Sequence, residues 1–142
     1  MSSTNLKKGL TCSAFDLFHA GHVAMLEEAK KQCDYLIAAL QTNPQIDRPE
    51  KNAPLQSVVE RYIQLSGCKY IDEIIPYETE EDLLDLMQLL DFNVRIIGDE
   101  YREKDYTGKQ YCLDNGIEIY YNSRHHRFAS SQLRNKMKVS DD

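Results

Sequence analysis

The sequence lacks the features that mark several classes of protein. It has no tryptophan, only four prolines and six glycines, and it shows no internal repeat or low-complexity segment, which argues against fibrous and disordered classes. No apolar run is long enough to span a membrane, and the first residues contain no apolar signal-peptide core. We therefore expect a cytoplasmic protein that has no membrane partner.

The four cysteines are far apart and form no Cys-x-x-Cys pair, so we expect reduced structural thiols rather than a metal site. The net charge of −6 argues against nonspecific binding to nucleic acid. Acidic residues cluster in 72–105, whereas 124–138 is basic, so an anion site can still form where a few cations converge. A length of 142 residues predicts one domain, 1–142.

Strand and helix signals alternate along the whole chain. Strands are predicted at 9–14, 34–40, 71–76, 94–98 and 117–121, and helices at 20–32, 54–67, 79–90, 107–115 and 130–137. Such alternation predicts a single Rossmann-like α/β domain, with a parallel sheet of about five strands and helices on both faces. Ligands of such folds bind at the carboxyl edge of the sheet, where the strand order reverses.

The first strand leads into a tight turn and then a helix that begins near His19 and His22. A helix N-terminus with backbone N–H groups and two histidine donors suits a phosphate. Taken alone, a His-x-x-His pair is more often no site at all, or half of a zinc site.

The stretch S-A-F-D-L-F-H-A-G-H at 13–22 makes the phosphate interpretation more specific. It resembles the G-x-F-D-x-x-H-x-G-H motif of the cytidylyltransferases of the glycerol-3-phosphate type, within the His-x-Gly-His nucleotidyltransferase superfamily. Ser13 stands where that family usually has glycine. The resemblance implies transfer of CMP from CTP to a small phosphorylated alcohol, with His19 and His22 on the triphosphate and the backbone N–H groups of Ala14 and Phe15 contacting phosphate.

The same resemblance assigns roles to residues farther along the chain. Lys51 matches a loop lysine that contacts the triphosphate, with Arg48 as the second choice, and Arg61 matches an arginine that reaches the acceptor or the phosphates. Gly98 and Asp99 match a pair beside the base and ribose. The basic turn and hydroxyls that precede the last helix would hold phosphate through Arg124, Ser130 and Ser131. Asp16 is interpreted as a structural turn residue, and Arg48 and Lys51 taken singly also fit a solvated loop.

Mg²⁺ is expected with the triphosphate, with few or no protein ligands, and a homodimer is expected from the resemblance only. The loop 41–53 is polar and bounded by prolines, and we expect it to close on the nucleotide. Two departures leave the acceptor open: Glu78 stands near an expected lysine, and the polar segment 101–109 offers Arg102, Lys104 and Lys109 for a different acceptor pocket or a solvated lid.

Two other functions stay open. The S-S-x-L-R ending also fits an adenylyltransferase that uses ATP with a phosphorylated sugar or cofactor precursor. Ser13 and Ala129, at positions where the family prefers glycine and serine, fit a nucleotide-binding regulatory module without turnover.

Overall fold

The computed structural model describes residues 6–123. The five strands are β1 (Lys8–Ser13), β2 (Tyr35–Gln41), β3 (Glu73–Tyr77), β4 (Val94–Gly98) and β5 (Glu118–Asn122). The helices are α1 (Ala20–Lys30), α2 (Val58–Ser66), α3 (Glu80–Leu89) and α4 (Lys109–Asp114), with a short 3₁₀ helix at Asp99–Tyr101 after β4. The predicted last helix at 130–137 lies outside the described residues.

All five strands belong to one parallel sheet with the order β3-β2-β1-β4-β5. The chain adds β2 and then β3 on one side of β1, and it then crosses over to add β4 and β5 on the other side. The strand order therefore reverses between β1 and β4, and a crevice opens there beyond the carboxyl ends of the strands. The predicted α/β architecture with a parallel sheet of about five strands is confirmed.

The sheet is buried on both faces, as its nearly continuous apolar strands require. Alternate residues of β2 point to opposite faces, so Leu36, Ala38 and Leu40 pack with Leu26 and Leu65, whereas the next residues along β2 join the other cluster. That second cluster contains Leu10, Ile37, Ala39, Tyr77, Leu83, Met87, Phe92 and Cys112. Both packed layers hold the carboxyl ends of the strands in fixed positions.

Side-chain caps set the ends of the helices. The cap of α3 is reciprocal, because the Thr79 hydroxyl accepts the Asp82 N–H at 3.0 Å and the Asp82 carboxylate accepts the Thr79 N–H at 3.2 Å. The predicted start of α2 at 54 is wrong. Ser57 and Glu60 form the same reciprocal cap, and the helix begins at Val58.

The far end of α4 closes on Gly116, which has a φ of 68° and follows the cap residue Asn115. The Ile117 N–H then donates to the Cys112 carbonyl at 2.9 Å, which ends the helix and starts β5. None of the helices within 6–123 has the length and apolar character needed to cross a bilayer.

Candidate active site

A cleft of about 400 Å³ lies at the carboxyl edge of the sheet. Its wall is formed by the end of β1 and the turn that follows it, by the loop after β2, and by the ends of β3, β4 and β5. Four of the predicted site residues line it: Ala14, Phe15, Lys51 and Gly98. These four residues therefore lie together at the edge of the sheet where the sequence predicts the site.

His19 and His22 cap the first turn of α1 reciprocally. His19 Nδ1 accepts the Gly21 N–H at 2.9 Å, and His22 Nδ1 accepts the His19 N–H at 3.2 Å. The two ring centroids are 4.2 Å apart. His22 is nearly buried, because Phe18 stacks on its ring at 5.3 Å and Phe15, which lines the cleft, packs at 5.9 Å. The predicted placement of both histidines in the first turn of the helix is confirmed.

This capping determines which ring nitrogen carries the proton. A neutral imidazole whose Nδ1 accepts a hydrogen bond carries its hydrogen on Nε2. Both rings therefore present Nε2 as a donor, and both do so beside the positive end of the α1 dipole. Two oriented donors at a helix N-terminus are suited to an anionic group such as a phosphate.

The turn between β1 and α1 is held in an unusual backbone conformation. Phe15 and Leu17 have φ values of 51° and 52°, in the left-handed region that residues with a Cβ seldom adopt. Each such residue costs on the order of 1–3 kcal/mol, so the surrounding contacts must compensate. The Phe15 N–H donates to the Ser13 hydroxyl at 3.2 Å, and the Leu17 N–H donates to the Gln56 side chain at 2.9 Å.

Asp16 ties this turn to the chain that precedes α2. Its buried carboxylate accepts the N–H groups of Leu55 at 2.8 Å and Gln56 at 3.0 Å. The structure thus gives Asp16 the structural role that the sequence predicted.

Arg61 is a buried cation. The resemblance predicts that it reaches the acceptor or the phosphates, and the structure places its side chain in the interior at 2% exposure. Its guanidinium donates to four backbone carbonyls at 2.6–3.1 Å, those of Ala14, Gln41, Thr42 and Gln56. Burial lowers the pKa of Arg61, and the nearby Asp16 carboxylate opposes that shift. Arg61 thereby joins the β1 turn to the loop after β2, and its contact with an acceptor stays a prediction.

Both predicted loop cations line the cleft. Arg48 and Lys51 are exposed and belong to a locally folded turn, in which the Lys51 N–H donates to the Arg48 carbonyl at 2.9 Å. The geometry brings both cations to the site and does not choose between them.

The predicted Gly98–Asp99 pair is divided between two environments. Gly98 lines the cleft at the end of β4. Asp99 begins the 3₁₀ helix and makes an exposed ion pair with Arg102, at 2.8 Å between Nη2 and Oδ1. Arg124, Ser130 and Ser131 lie outside the described residues, so their roles stay predictions.

The sequence prediction missed the floor of the cleft. Cys12, Tyr77 and Arg95 line it from three strands, with Tyr106 and Thr107 beside them. Burial raises the pKa of the Cys12 thiol and raises the pKa of the Tyr77 phenol, and in both cases the positive charge of Arg95 opposes the shift. Both groups are therefore protonated at neutral pH. One available signal was the charge of Arg95 within the otherwise apolar strand V-R-I-I-G.

Within residues 6–123, no group of three or more His, Cys, Asp or Glu side chains is suited to hold a metal ion. Mg²⁺ at nucleotide sites is held largely by phosphate oxygens and water, with one or two carboxylates. The cleft carboxylates Glu80 and Glu100 fit a Mg²⁺ that arrives with a nucleotide.

The parallel sheet, the cleft at its switch point and the histidine-capped helix define a Rossmann-like nucleotide-binding protein. Residues 10–139 match the model of the family described as cytidylyltransferase-like. The chain belongs to this family and is a nucleotidyltransferase.

Similarity to two curated cytidylyltransferases supports this assignment. The chain is 31% identical over 132 residues to a glycerol-3-phosphate cytidylyltransferase of Bacillus spizizenii, a match covering 93% of this chain and 98% of that protein. It is 34% identical over 87 residues to a probable ethanolamine-phosphate cytidylyltransferase of Encephalitozoon cuniculi, covering 59% of this chain and 27% of that protein.

A solved structure supports the fold alone. The lipopolysaccharide core biosynthesis protein of Thermoplasma volcanium superposes with a TM-score of 0.69 at 21% identity, over 85% of this chain and 99% of that one.

Proposed function

We propose that this protein transfers CMP from CTP to a small phosphorylated alcohol, with glycerol 3-phosphate as the first candidate, and releases pyrophosphate. The observation that carries the proposal is the pair of histidine Nε2 donors at the N-terminus of α1, beside a cleft at the switch point. The similarity to glycerol-3-phosphate cytidylyltransferase over nearly the whole chain supports the choice of nucleotide and acceptor.

The reaction needs no protein nucleophile. An oxygen of the acceptor phosphate attacks the α-phosphorus of CTP and forms the new P–O bond. The bond from the α-phosphorus to the oxygen that bridges to the β-phosphate breaks, and pyrophosphate leaves with the electron pair. The protein contributes by positioning the reactants and by stabilising charge as it develops.

Each site residue has a proposed part in that step. His19 and His22 donate from Nε2 to the phosphates, and Lys51, with Arg48 as the second choice, neutralises the triphosphate. Backbone at Ala14 and Phe15 borders the phosphates, and Gly98 and Asp99 border the cytidine. Arg124, Ser130 and Ser131 complete the phosphate site. Mg²⁺, when bound with CTP, supplies charge neutralisation between the phosphates.

The test is pyrophosphate release by the purified protein with Mg²⁺, with either CTP or ATP, and with glycerol 3-phosphate or ethanolamine phosphate. We expect release that requires CTP, Mg²⁺ and glycerol 3-phosphate. Release with ethanolamine phosphate instead would keep the transfer reaction and change the acceptor. Release with ATP alone would favour the adenylyltransferase alternative.

A pair of variants separates catalysis from a binding function. His22→Ala removes both the Nε2 donor and the Nδ1 cap, whereas His22→Asn keeps an oxygen that can accept the His19 N–H. Both variants should lower kcat about 100-fold or more, as expected for loss of a transition-state hydrogen bond. Only His22→Ala should also lose about 1 kcal/mol of stability. Unchanged turnover in both variants would overturn the role of His22.

A further inference from the structure

Arg95 is a buried cation at the floor of the cleft. It is the second residue of β4, it is 4% exposed, and its strand neighbours Val94 and Ile96 are buried and apolar. Its Nη1 donates to the Thr107 carbonyl at 2.9 Å and lies 3.7 Å from the Met87 sulfur. The Tyr106 ring centroid lies 5.4 Å from its Cζ. Nε is buried and has no hydrogen-bond partner within residues 6–123.

Among residues 6–123, no carboxylate forms an ion pair with Arg95. The ion pairs within residues 6–123 all use other cations, namely Lys7, Lys30 and Arg102. Glu80 also lines the cleft, but its carboxylate accepts from Gln41 and makes no ion pair with Arg95. Tyr77 and Cys12 are protonated and carry no charge. Burying an unpaired cation costs several kcal/mol, so this arrangement is unfavourable without an anion.

A purely structural role does not account for this cost. Hydrogen bonds to the Thr107 carbonyl and the Met87 sulfur use two donors of a guanidinium that has five. Gly108 lets the chain pass close to the Arg95 guanidinium, because it has a φ of 88° and a Cβ there would lie 3.1 Å from Arg95 Nη1. A neutral side chain would pack against Met87 and Tyr106 without the cost of desolvating a charge.

We propose that Arg95 binds an oxyanion of the phosphorylated acceptor at the floor of the cleft. This inference rests on the proposed function, and it names the residue that holds the acceptor. The oxyanion is either the acceptor phosphate or a carboxylate elsewhere on the acceptor, because a guanidinium pairs with both through the same two-donor geometry. The phenol of Tyr77 is a second donor on the same floor.

The test uses two acceptors that differ at one carbon. Glycerol 3-phosphate carries a terminal CH₂OH where 3-phosphoglycerate carries a carboxylate. Binding of each is measured by calorimetry in the presence of Mg²⁺ and a non-hydrolysable α,β-methylene analogue of CTP, so that no turnover is needed. The proteins are wild type, Arg95→Met, Arg95→Lys and Lys69→Met, the last as a control that removes an exposed cation away from the cleft.

We expect Arg95→Met to weaken acceptor binding at least about tenfold, in line with loss of a charge-assisted hydrogen bond, while binding of the CTP analogue changes less than about twofold. Arg95→Lys should keep part of the affinity, and Lys69→Met should resemble wild type. Loss for both acceptors assigns the acceptor phosphate to Arg95. Loss for 3-phosphoglycerate alone assigns the carboxylate.

Unchanged affinity for both acceptors in Arg95→Met would overturn the inference, as would an equal loss for acceptors and CTP analogue, which indicates a structural effect. If Arg95→Met does not fold, Arg95→Lys decides by the same comparison. A wild-type protein that binds an acceptor through Arg95 and releases no pyrophosphate would refute the proposed reaction and leave this inference standing.

Discussion

Arg61 joins two loops that approach the cleft, through hydrogen bonds to four backbone carbonyls. Replacing it with methionine would keep much of the volume and remove four hydrogen bonds. We expect Arg61→Met to lower the free energy of unfolding by about 3–5 kcal/mol, because it leaves several buried carbonyls unsatisfied. Urea denaturation at 25 °C measures this change.

The control for Arg61→Met is Arg102→Met, which removes an exposed ion pair with Asp99. That variant should change stability by less than about 1 kcal/mol. Equal urea midpoints for wild type and Arg61→Met would contradict the structural role of Arg61.

The positions of some residues could be predicted from the sequence, and those of others could not. The sequence was enough to place His19 and His22 at the start of α1, because a helix cap depends only on residues that are close together in the chain. The burial of Arg61 had a weaker signal, namely its spacing of four from Leu65, the other buried residue of α2. The partners of Arg95 come from the preceding helix and a later loop, and their contacts depend on how these elements pack, so no local pattern could reveal them.

At the scale of elements, local chemistry explains both the correct and the incorrect boundaries. Thr79 and Asp82 marked the start of α3, and β4 was predicted at 94–98 as observed. Helix α2 begins after the reciprocal Ser57–Glu60 cap and not at Pro54, which lies in the preceding loop. Proline is common at the first position of a helix, but here two side-chain hydrogen bonds fix the start at Val58.

The loop 41–53 provides a test at this scale. Lys51 is exposed and is followed by Asn52, so trypsin can cut there, whereas Pro49 protects the bond after Arg48. We expect CTP with Mg²⁺ to slow cleavage after Lys51 roughly tenfold at saturation, because the closed loop is not a substrate for the protease. Mass spectrometry of the fragments over time measures the rate.

Cleavage after Lys69, an exposed turn residue away from the cleft, serves as the internal control and should not change with ligand. Protection of Lys51 that is the same with and without CTP and Mg²⁺ would argue against closure.

For the whole molecule, alternating strands and helices were enough to predict a parallel sheet, because crossovers of that length favour parallel neighbours. The strand order had to come from the structure, since several orders satisfy the same alternation. The order matters for function, because it places the switch point between β1 and β4, where the cleft lies.

The expected homodimer is a prediction at the same scale. Helix α2 exposes an apolar face, with Val59 at 62%, Tyr62 at 44% and Ile63 at 63% exposure. We expect the wild-type protein to sediment as a dimer and Ile63→Lys to shift it toward monomer, since a buried lysine would lack a partner. Leu89→Lys, on exposed α3 surface, is the control and should leave the sedimentation unchanged.

A second copy seated elsewhere would give a dimer that Ile63→Lys does not disturb. A wild-type protein that sediments as a monomer at all concentrations would remove the dimer prediction.

The central position of β1 has a consequence for co-translational folding on the ribosome. β1 pairs with β2 soon after both emerge, but its other edge pairs with β4, where Gly9 lies beside Val94 and Leu10 beside Arg95. Until that strand leaves the exit tunnel, the nascent chain carries an open apolar edge in the middle of its future core. Translation that stalls before β4 would therefore yield aggregation-prone fragments that need chaperones. Stalling after β4 would not create this need.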